Sequence, residues 1–153
     1  MFRRLAAAVA TGGVVPLAVL AGVSAPDRGD PPARLTVAHV AAVAGPENVC
    51  GVTVGALDAV SRLESNHGRH GGRTIDEAGR VTPPLRIWDN VDHGGGAHGF
   101  LEGTLDDYGV DGDRDGRVDL QDVDDTAASA VRLLCVLGFG DDPRVAFGRY
   151  NGG

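Results

Sequence analysis

The clearest periodic pattern lies in the middle of the chain, over residues 52–64. Apolar residues there recur at the spacing of one face of an α-helix. That face consists of Val54, Leu57 and Val60. Thr53 can cap the start of the helix, and Gly68 lies just beyond its end. Glu64 continues the apolar stripe, so the pattern predicts a carboxylate at the end of a helix, on its core-facing side.

The rest of the chain gives weaker signals. A short helix is predicted over residues 35–44 and a longer one over residues 120–137, where apolar positions again follow helical spacing. Residues 100–108 form a further structured stretch, whereas residues 71–96 are rich in Gly and Pro and are typical of a loop. No stretch alternates convincingly as a strand. The pattern therefore predicts a mainly α, single domain over residues 35–153.

The first 25 residues have a different character. Arg3 and Arg4 precede an apolar stretch over residues 5–22, and small residues follow it. This is the tripartite pattern of a secretory signal peptide, and Pro16 together with its short apolar core argues against a membrane-spanning helix of roughly 20 residues. Residues 26–34 are rich in Pro, Asp and Gly and predict a flexible linker. We expect export, cleavage of residues 1–25, and no membrane span in the mature chain.

The acidic balance of the chain excludes one class of partner. Loss of the two positive charges of Arg3 and Arg4 with the signal would take the formal net charge from −7 to −9. Binding of nucleic acid depends on Lys and Arg side chains that neutralise phosphates. We therefore expect no nucleic-acid partner.

Two cysteines are present, Cys50 and Cys135. Because the signal sends the chain to an oxidising compartment, a disulfide between them is the first expectation. The alternative is two unrelated buried thiols.

The predicted position of Glu64 has a chemical consequence. Burial beside an apolar stripe disfavours a charged carboxylate, and so does the negative end of a helix dipole. Both effects raise the pKa, as a general acid that works near neutral pH requires.

Residues 111–122 fit a twelve-residue calcium loop. Carboxylates stand at its first, third, fifth, ninth and twelfth positions, as Asp111, Asp113, Asp115, Asp119 and Asp122. Gly116 at the sixth position lets the backbone turn so that the carbonyl of Arg117 can join them. Converging oxygens at this spacing suit Ca²⁺ in a structural role. The alternative is a solvated acidic turn that caps the following helix.

Several stretches together resemble the exported lytic murein transglycosylases of actinobacteria. Residues 61–72 read S-R-L-E-S-N-H-G-R-H-G-G, similar to the E-S-N/D-H-G-R signature of that family. The other similar stretches, in order, are V-T-P-P at 81–84, F-L and G-T at 100–104, Y-G at 108–109, the helix at 127–135 and Y-N at 150–151. The resemblance covers about 100 residues, from Cys50 to the end.

The resemblance implies a lysozyme-like fold, a peptidoglycan substrate and a cell-wall location. It implies that Glu64 is the single catalytic acid/base, which cleaves the glycosidic bond between N-acetylmuramic acid and N-acetylglucosamine and leaves 1,6-anhydro ends. Ser65 would orient the acid and the sugar, Tyr150 would hydrogen-bond Glu64, and Asn151 would line the cleft. We expect the protein to act as a monomer.

The chain departs from the family around the substrate cleft. Residues 96–100 read G-A-H-G-F where the family has G-P-M-Q-F, so the family's Gln is absent. The loop over residues 84–99 is shorter, and Leu105 replaces a Trp. A second hypothesis follows from these losses, namely a catalytically degenerate relative that serves as a calcium- and disulfide-braced wall-binding module.

Two other features leave alternatives open. The histidines His67, His70, His93 and His98 could bind zinc, but they lack the spacing of a zinc-protease motif, and solvated loop histidines fit better. Trp88 could stack on a sugar, although a single Trp in a small domain more often anchors a core or loop.

Overall fold

The computed structural model describes residues 29–83 and 94–152. The expected signal peptide, residues 26–28 of the expected linker, Trp88 and His93 lie outside the described residues. Residues 31–153 form one compact unit. Within the described ranges, no helix combines the length and apolar character that crossing a bilayer requires.

The described part of the chain is mainly helical, as the pattern predicts. Its helices are, in chain order, α1 (Ala33–Ala44), α2 (Val54–Ser65), α3 (Glu102–Tyr108), α4 (Val123–Val136) and α5 (Pro143–Tyr150). A short 3₁₀ turn, His70–Gly72, follows α2. Two short strands, β1 (Thr74–Ile75) and β2 (Val81–Thr82), complete the set.

Helix α4 is the centre of the domain, and ten of its residues are buried. It contacts each of α1, α2, α3 and α5. A helix that other elements cover on most sides needs small or apolar residues on nearly all of its faces. The A-A-S-A-V run of α4 meets that requirement. Arg34 at the start of α1 also forms an ion pair with Asp124 in the first turn of α4.

The predicted helix ends are largely confirmed by their caps. The Thr53 hydroxyl accepts a hydrogen bond from the Ala56 N–H at 3.2 Å at the start of α2. The prediction of a single long helix over residues 120–137 is too long at its start, because Asp122 is the N-cap of α4 and the residues before it belong to the acidic loop.

Helix α5 was not predicted. Asp142 caps it and Pro143 occupies its first turn, a standard helix start. The helix is only eight residues long and only Ala146 is buried in it, so its sequence carries little apolar periodicity. It forms because Phe147 and Tyr150 pack against the core of the domain.

The expectation of no strand is wrong for one small hairpin. Thr74 pairs with Thr82 and Ile75 with Val81 in antiparallel register. Two-residue strands are too short to produce an alternating pattern. The hairpin is held against the start of α4, since the Val81 N–H donates to the Gln121 carbonyl and the Val123 N–H to the Gly79 carbonyl, both at 2.9 Å.

The expected disulfide is present between Cys50 and Cys135, whose Cα atoms are 5.4 Å apart. It joins the segment before α2 to the last turn of α4. The segment that leads into α2 is therefore covalently tied to α4.

Candidate active site around Glu64

Glu64 lies in the last turn of α2, where the sequence predicts it. The chain reverses directly afterwards, because Asn66 and His67 adopt positive φ values of 51° and 58°. Glu64 is half-buried. Burial raises the pKa of its carboxyl above the ordinary value, which is the direction that an acid catalyst needs.

A tight loop over residues 94–100 packs against Glu64. Two backbone hydrogen bonds close it, from the Gly95 N–H to the Phe100 carbonyl at 2.7 Å and from the Phe100 N–H to the Gly95 carbonyl at 3.0 Å. Gly99 has a φ of +71°, and a Cβ there would come within 2.5 Å of Oε2 of Glu64. Only glycine permits this approach, so the loop backbone itself forms one wall around the carboxylate.

Ser65 fastens this loop to α2. Its hydroxyl lies 2.6 Å from the Ala97 carbonyl and accepts the Gly68 N–H at 2.7 Å. Ser65 is only 1 % exposed. Direct contact between Ser65 and a sugar is therefore not available in this structure, and its part in the site is to hold the loop and the turn after Glu64.

Tyr150 and Asn151 lie on the opposite side of a groove that begins at Glu64. The groove has a volume of about 410 Å³ and lies between the end of α2 and the end of α5. Leu63, 81 % exposed, and Phe147 supply apolar surface along it. The structure thus brings together the candidate acid and two of its three expected partners.

The hydrogen bond of Tyr150 differs from the one that the resemblance implies. Its hydroxyl donates to the His98 carbonyl at 2.8 Å, so its single proton is not available to Glu64. Burial, and secondarily the charge of Glu64, raises the pKa of Tyr150 well above its ordinary value. Tyr150 is a neutral donor that anchors the loop beside the acid.

Behind this loop lies a group of buried polar side chains. The expectation of solvated loop histidines is wrong for His67 and His98, which are 2 % and 0 % exposed, and sequence reasoning missed the buried partners of His98. His98 contacts His39 of α1 on one side and Thr126 of α4 on the other. His39 follows Leu35 and precedes Ala42 at helical spacing, which was the available signal that it faces the core. The described histidines do not form a metal cluster, because only one group of three or more candidate ligands gathers in the described ranges, and it contains no histidine.

That group is the start of the acidic loop. Asp111, Asp113 and Asp115 each bring a carboxylate oxygen to within 4.8 Å of the other two. Backbone N–H groups of the loop donate to the same carboxylates, for example Gly116 to Asp111 at 2.9 Å. Three hard oxygen donors at one point form a set that suits a cation such as Ca²⁺.

The other expected ligands are engaged elsewhere. Asp119 accepts hydrogen bonds from Arg80 at 2.6 Å and from the Gln121 N–H at 2.8 Å. Burial acts to raise the pKa of Asp119, but these hydrogen bonds outweigh it and lower the pKa. Asp122 caps α4 by accepting the Asp124 N–H at 2.8 Å. The loop thus has an acidic triad at its start, and at its end the helix cap that the alternative hypothesis expects.

Arg117 and Asp125 complete the description of the loop. The Arg117 N–H donates to Asp115 at 2.9 Å, and the Arg117 side chain is exposed. Asp125, which sequence reasoning missed, is 2 % exposed and accepts the Gly112 and Asp119 N–H groups, each at 2.7 Å. Burial raises the pKa of Asp125 to about 6. One buried carboxylate of α4 therefore ties both ends of the loop together.

A second groove, of about 480 Å³, lies between α1, the acidic loop and α4. Alanines of α1 and α4 line it together with Asp111, Asp113 and Asp124. It shares no lining residue with the groove at Glu64.

Comparisons of the chain with protein-family models, with curated proteins and with solved structures find no match.

Proposed function

We propose that this protein is an exported lytic transglycosylase that cleaves the glycan strands of peptidoglycan, with Glu64 as its acid/base. The observation that carries the proposal is the environment of Glu64, a half-buried carboxyl of raised pKa that faces a groove with Tyr150 and Asn151 on its far side. The sequence around Glu64 supports it. The proposal includes a lysozyme-like fold for the helical domain and a location at the cell wall.

In the first step the protonated carboxyl of Glu64 donates its proton to the oxygen between N-acetylmuramic acid and N-acetylglucosamine. The bond from that oxygen to C1 of the muramoyl sugar breaks, and N-acetylglucosamine leaves with the proton. The Glu64 carboxylate then takes the proton of the muramoyl C6 hydroxyl, whose oxygen attacks C1 and forms the 1,6-anhydro ring. One carboxyl suffices because the substrate supplies the nucleophile, unlike the two-carboxylate scheme of ordinary glycosidases.

The neighbouring residues have supporting roles in this scheme. Tyr150 and Ser65 hold the loop over residues 94–100 through its carbonyl groups, so that the loop backbone excludes water from one side of Glu64. Asn151 offers an amide to the sugar across the groove. Leu63 and Phe147 provide apolar surface that suits the flat faces of pyranose rings.

We further propose that Asp111, Asp113 and Asp115 hold a structural Ca²⁺. Their oxygens form a hard donor set, and three carboxylates that converge within 4.8 Å repel one another without a counter-ion. The ion would brace the segment that leads into α4, and it takes no part in the reaction.

The decisive experiment is digestion of purified peptidoglycan by the mature protein, followed by mass spectrometry of the fragments. We expect 1,6-anhydro ends from the unmutated protein and from Glu77→Gln, a control at an exposed carboxylate. We expect none from Glu64→Gln, which keeps the shape of the side chain but cannot donate or accept the proton. Hydrolysed ends in place of anhydro ends would instead indicate a lysozyme-type hydrolase.

A second candidate function is favoured by Gly99. This residue stands where the G-P-M-Q-F segment of the family has its Gln, and it offers no side chain to a substrate. A protein that lost this contact could retain wall binding without cleavage. Co-sedimentation with insoluble peptidoglycan, in the absence of any new ends, would support the binding module over the enzyme.

A further inference from the structure

A continuous chain of buried side chains links α1 to α4 through the loop beside Glu64. Nε2 of His39 lies 3.0 Å from Nε2 of His98, and Nδ1 of His98 lies 3.0 Å from Oγ1 of Thr126. The Thr126 hydroxyl lies 2.8 Å from the Asp122 carbonyl. All three side chains are essentially inaccessible to solvent.

The hydrogen bonds determine where the protons are. The carbonyl of Asp122 can only accept, so the single proton of Thr126 goes to it. Oγ1 of Thr126 must then accept from His98, which places a proton on Nδ1 of His98. A neutral His98 has a lone pair at Nε2, so His39 carries its proton at Nε2 and donates it there.

The backbone around His98 is the part of the loop that contacts the site. The carbonyl of His98 accepts from Tyr150, and the carbonyl of Ala97 accepts from Ser65. The next residue, Gly99, lies against the side chain of Glu64. The backbone of residues 97–99 thus contacts three groups of the site, Tyr150, Ser65 and Glu64.

We propose that His98 is a positioning residue for Glu64, and that it holds the loop in place only while the His39–His98–Thr126 chain carries no charge. The inference rests on the proposed function in so far as the site is catalytic. The neutral chain thereby makes the geometry around Glu64 dependent on pH, through two histidines that do not touch the substrate.

The direction of this dependence follows from the proton positions. A protonated His98 would present N–H groups on both nitrogens, and its Nε2–H would face the Nε2–H of His39 across 3.0 Å unless the proton of His39 moved to its buried Nδ1. A proton added to His39 would go to Nδ1, a buried atom that has no hydrogen-bond partner in the described ranges. Either event puts an unpaired charge in the core, which is costly.

The charged and titratable groups that face His39 and His98 have opposing effects on the protonation of the two imidazoles. On α2 and the turn after it, Asp58 favours a charged His39, whereas His67 opposes a charge on either member of the pair. Thr126 of α4 carries no charge. Burial dominates, and it lowers the pKa of His39 to about 4 and that of His98 well below its ordinary value.

The sign of the effect on stability follows from those shifts. Both imidazoles have a lower pKa in the folded than in the unfolded chain. The stability that the neutral pair contributes is therefore fully present above the unfolded pKa of 6.5. It is lost progressively as the pH falls from there toward about 4, the folded pKa of His39.

The experiment is hydrogen exchange of the intact mature chain by NMR, with the amides of Gly95 and Phe100 as probes, since their hydrogen bonds close the loop. Between about pH 7 and about pH 5 we expect protection at these two amides to fall about tenfold more than in α4. His39→Gln can still donate to His98 but cannot become charged, and we expect it to remove most of that difference. His70→Gln, at an exposed histidine, should behave like the unmutated protein.

Three results would overturn the inference. The first is equal loss of protection in the loop and in α4, which would indicate global unfolding. The second is an unchanged difference in His39→Gln. The third, which needs no variant, is a ¹⁵N spectrum in which neutral His98 carries its proton on Nε2.

These readouts are independent of activity. If no variant cleaves peptidoglycan at any pH while the two loop amides respond as expected, the proposed function fails and the role of His98 in positioning Glu64 stands. If the protein cleaves peptidoglycan and the loop stays protected at about pH 5, the function stands and the inference fails.

Discussion

The backbone of Gly99 lies directly against the side chain of Glu64. A Cβ built at position 99 would lie close to three side-chain atoms of Glu64, at 2.5 Å from Oε2, 2.8 Å from Cβ and 2.9 Å from Cγ. The contact contributes to the burial that raises the pKa of Glu64. It also means that this loop conformation has no room for a side chain where the resembled family has a Gln.

Gly99→Ala should therefore destabilise the protein. The positive φ of residue 99 and the contacts with Glu64 predict a loss of about 2–4 kcal/mol in the free energy of unfolding. Gly103→Ala is the matched control, because it lies within α3 and a Cβ there meets nothing within 4 Å. We expect the control to be neutral or to stabilise by up to about 1 kcal/mol. Urea unfolding of the two variants measures both changes in the free energy of unfolding. Equal stabilities of Gly99→Ala and Gly103→Ala would contradict the described loop conformation.

Replacement of Glu64 by Gln should stabilise the protein in a pH-dependent way. The folded pKa of Glu64 lies above its unfolded value of 4.5, so the charged form is disfavoured by folding. The free-energy penalty of folding with a charged Glu64 is absent below pH 4.5. It grows as the pH rises above 4.5 and is complete above the folded pKa. We expect Glu64→Gln to raise the melting temperature by about 2 °C near neutral pH and not at about pH 3. Calorimetry across this range tests the sign, and a destabilised variant near neutral pH would contradict it.

Calcium should stabilise the domain through the three aspartates at the start of the acidic loop. A ligand at 100 times its dissociation constant stabilises the state that binds it by about 2.7 kcal/mol, which corresponds to roughly 10 °C in a domain of this size. Asp113→Asn should lose most of this shift, whereas Asp141→Asn, at an exposed residue outside the loop, should keep it. Thermal melts with Ca²⁺, with Mg²⁺ and with a chelator measure the effect. A melting temperature that is indifferent to the chelator would reject the site.

Loss of the disulfide should cost a large part of the total stability. The bond closes a loop with a sequence separation of 85, for which chain entropy predicts about 4.6 kcal/mol. Cys50→Ala combined with Cys135→Ala should show this loss in urea unfolding. A reducing agent should produce a similar loss in the unmutated protein and none in the double variant. Unchanged stability after reduction would indicate that packing alone holds the segment before α2 against α4.

Some features of this protein could be read directly from short stretches of sequence. Helix α2, its cap at Thr53 and the position of Glu64 follow from helical spacing within about a dozen residues. The spacing of Asp111, Asp113 and Asp115 identified the acidic group in the same way. Such features depend on interactions between near neighbours, and a local pattern records them.

Other features were missed because their signals are weak over any short stretch. Helix α5 has one buried residue and the strands have two residues each, so neither has an apolar period to detect. Both elements form because they pack on the rest of the domain.

The immediate surroundings of Glu64 were decided by tertiary structure alone. His39 and His98 are 59 residues apart in the chain, and Tyr150 is 52 residues from the carbonyl that it binds. The sequence contains these residues but does not indicate which atoms meet, because that depends on how α1, α4 and α5 pack around one core. Thus the position of the acid on its helix follows from local sequence, whereas the wall of backbone and buried histidines beside it exists only in the packed domain.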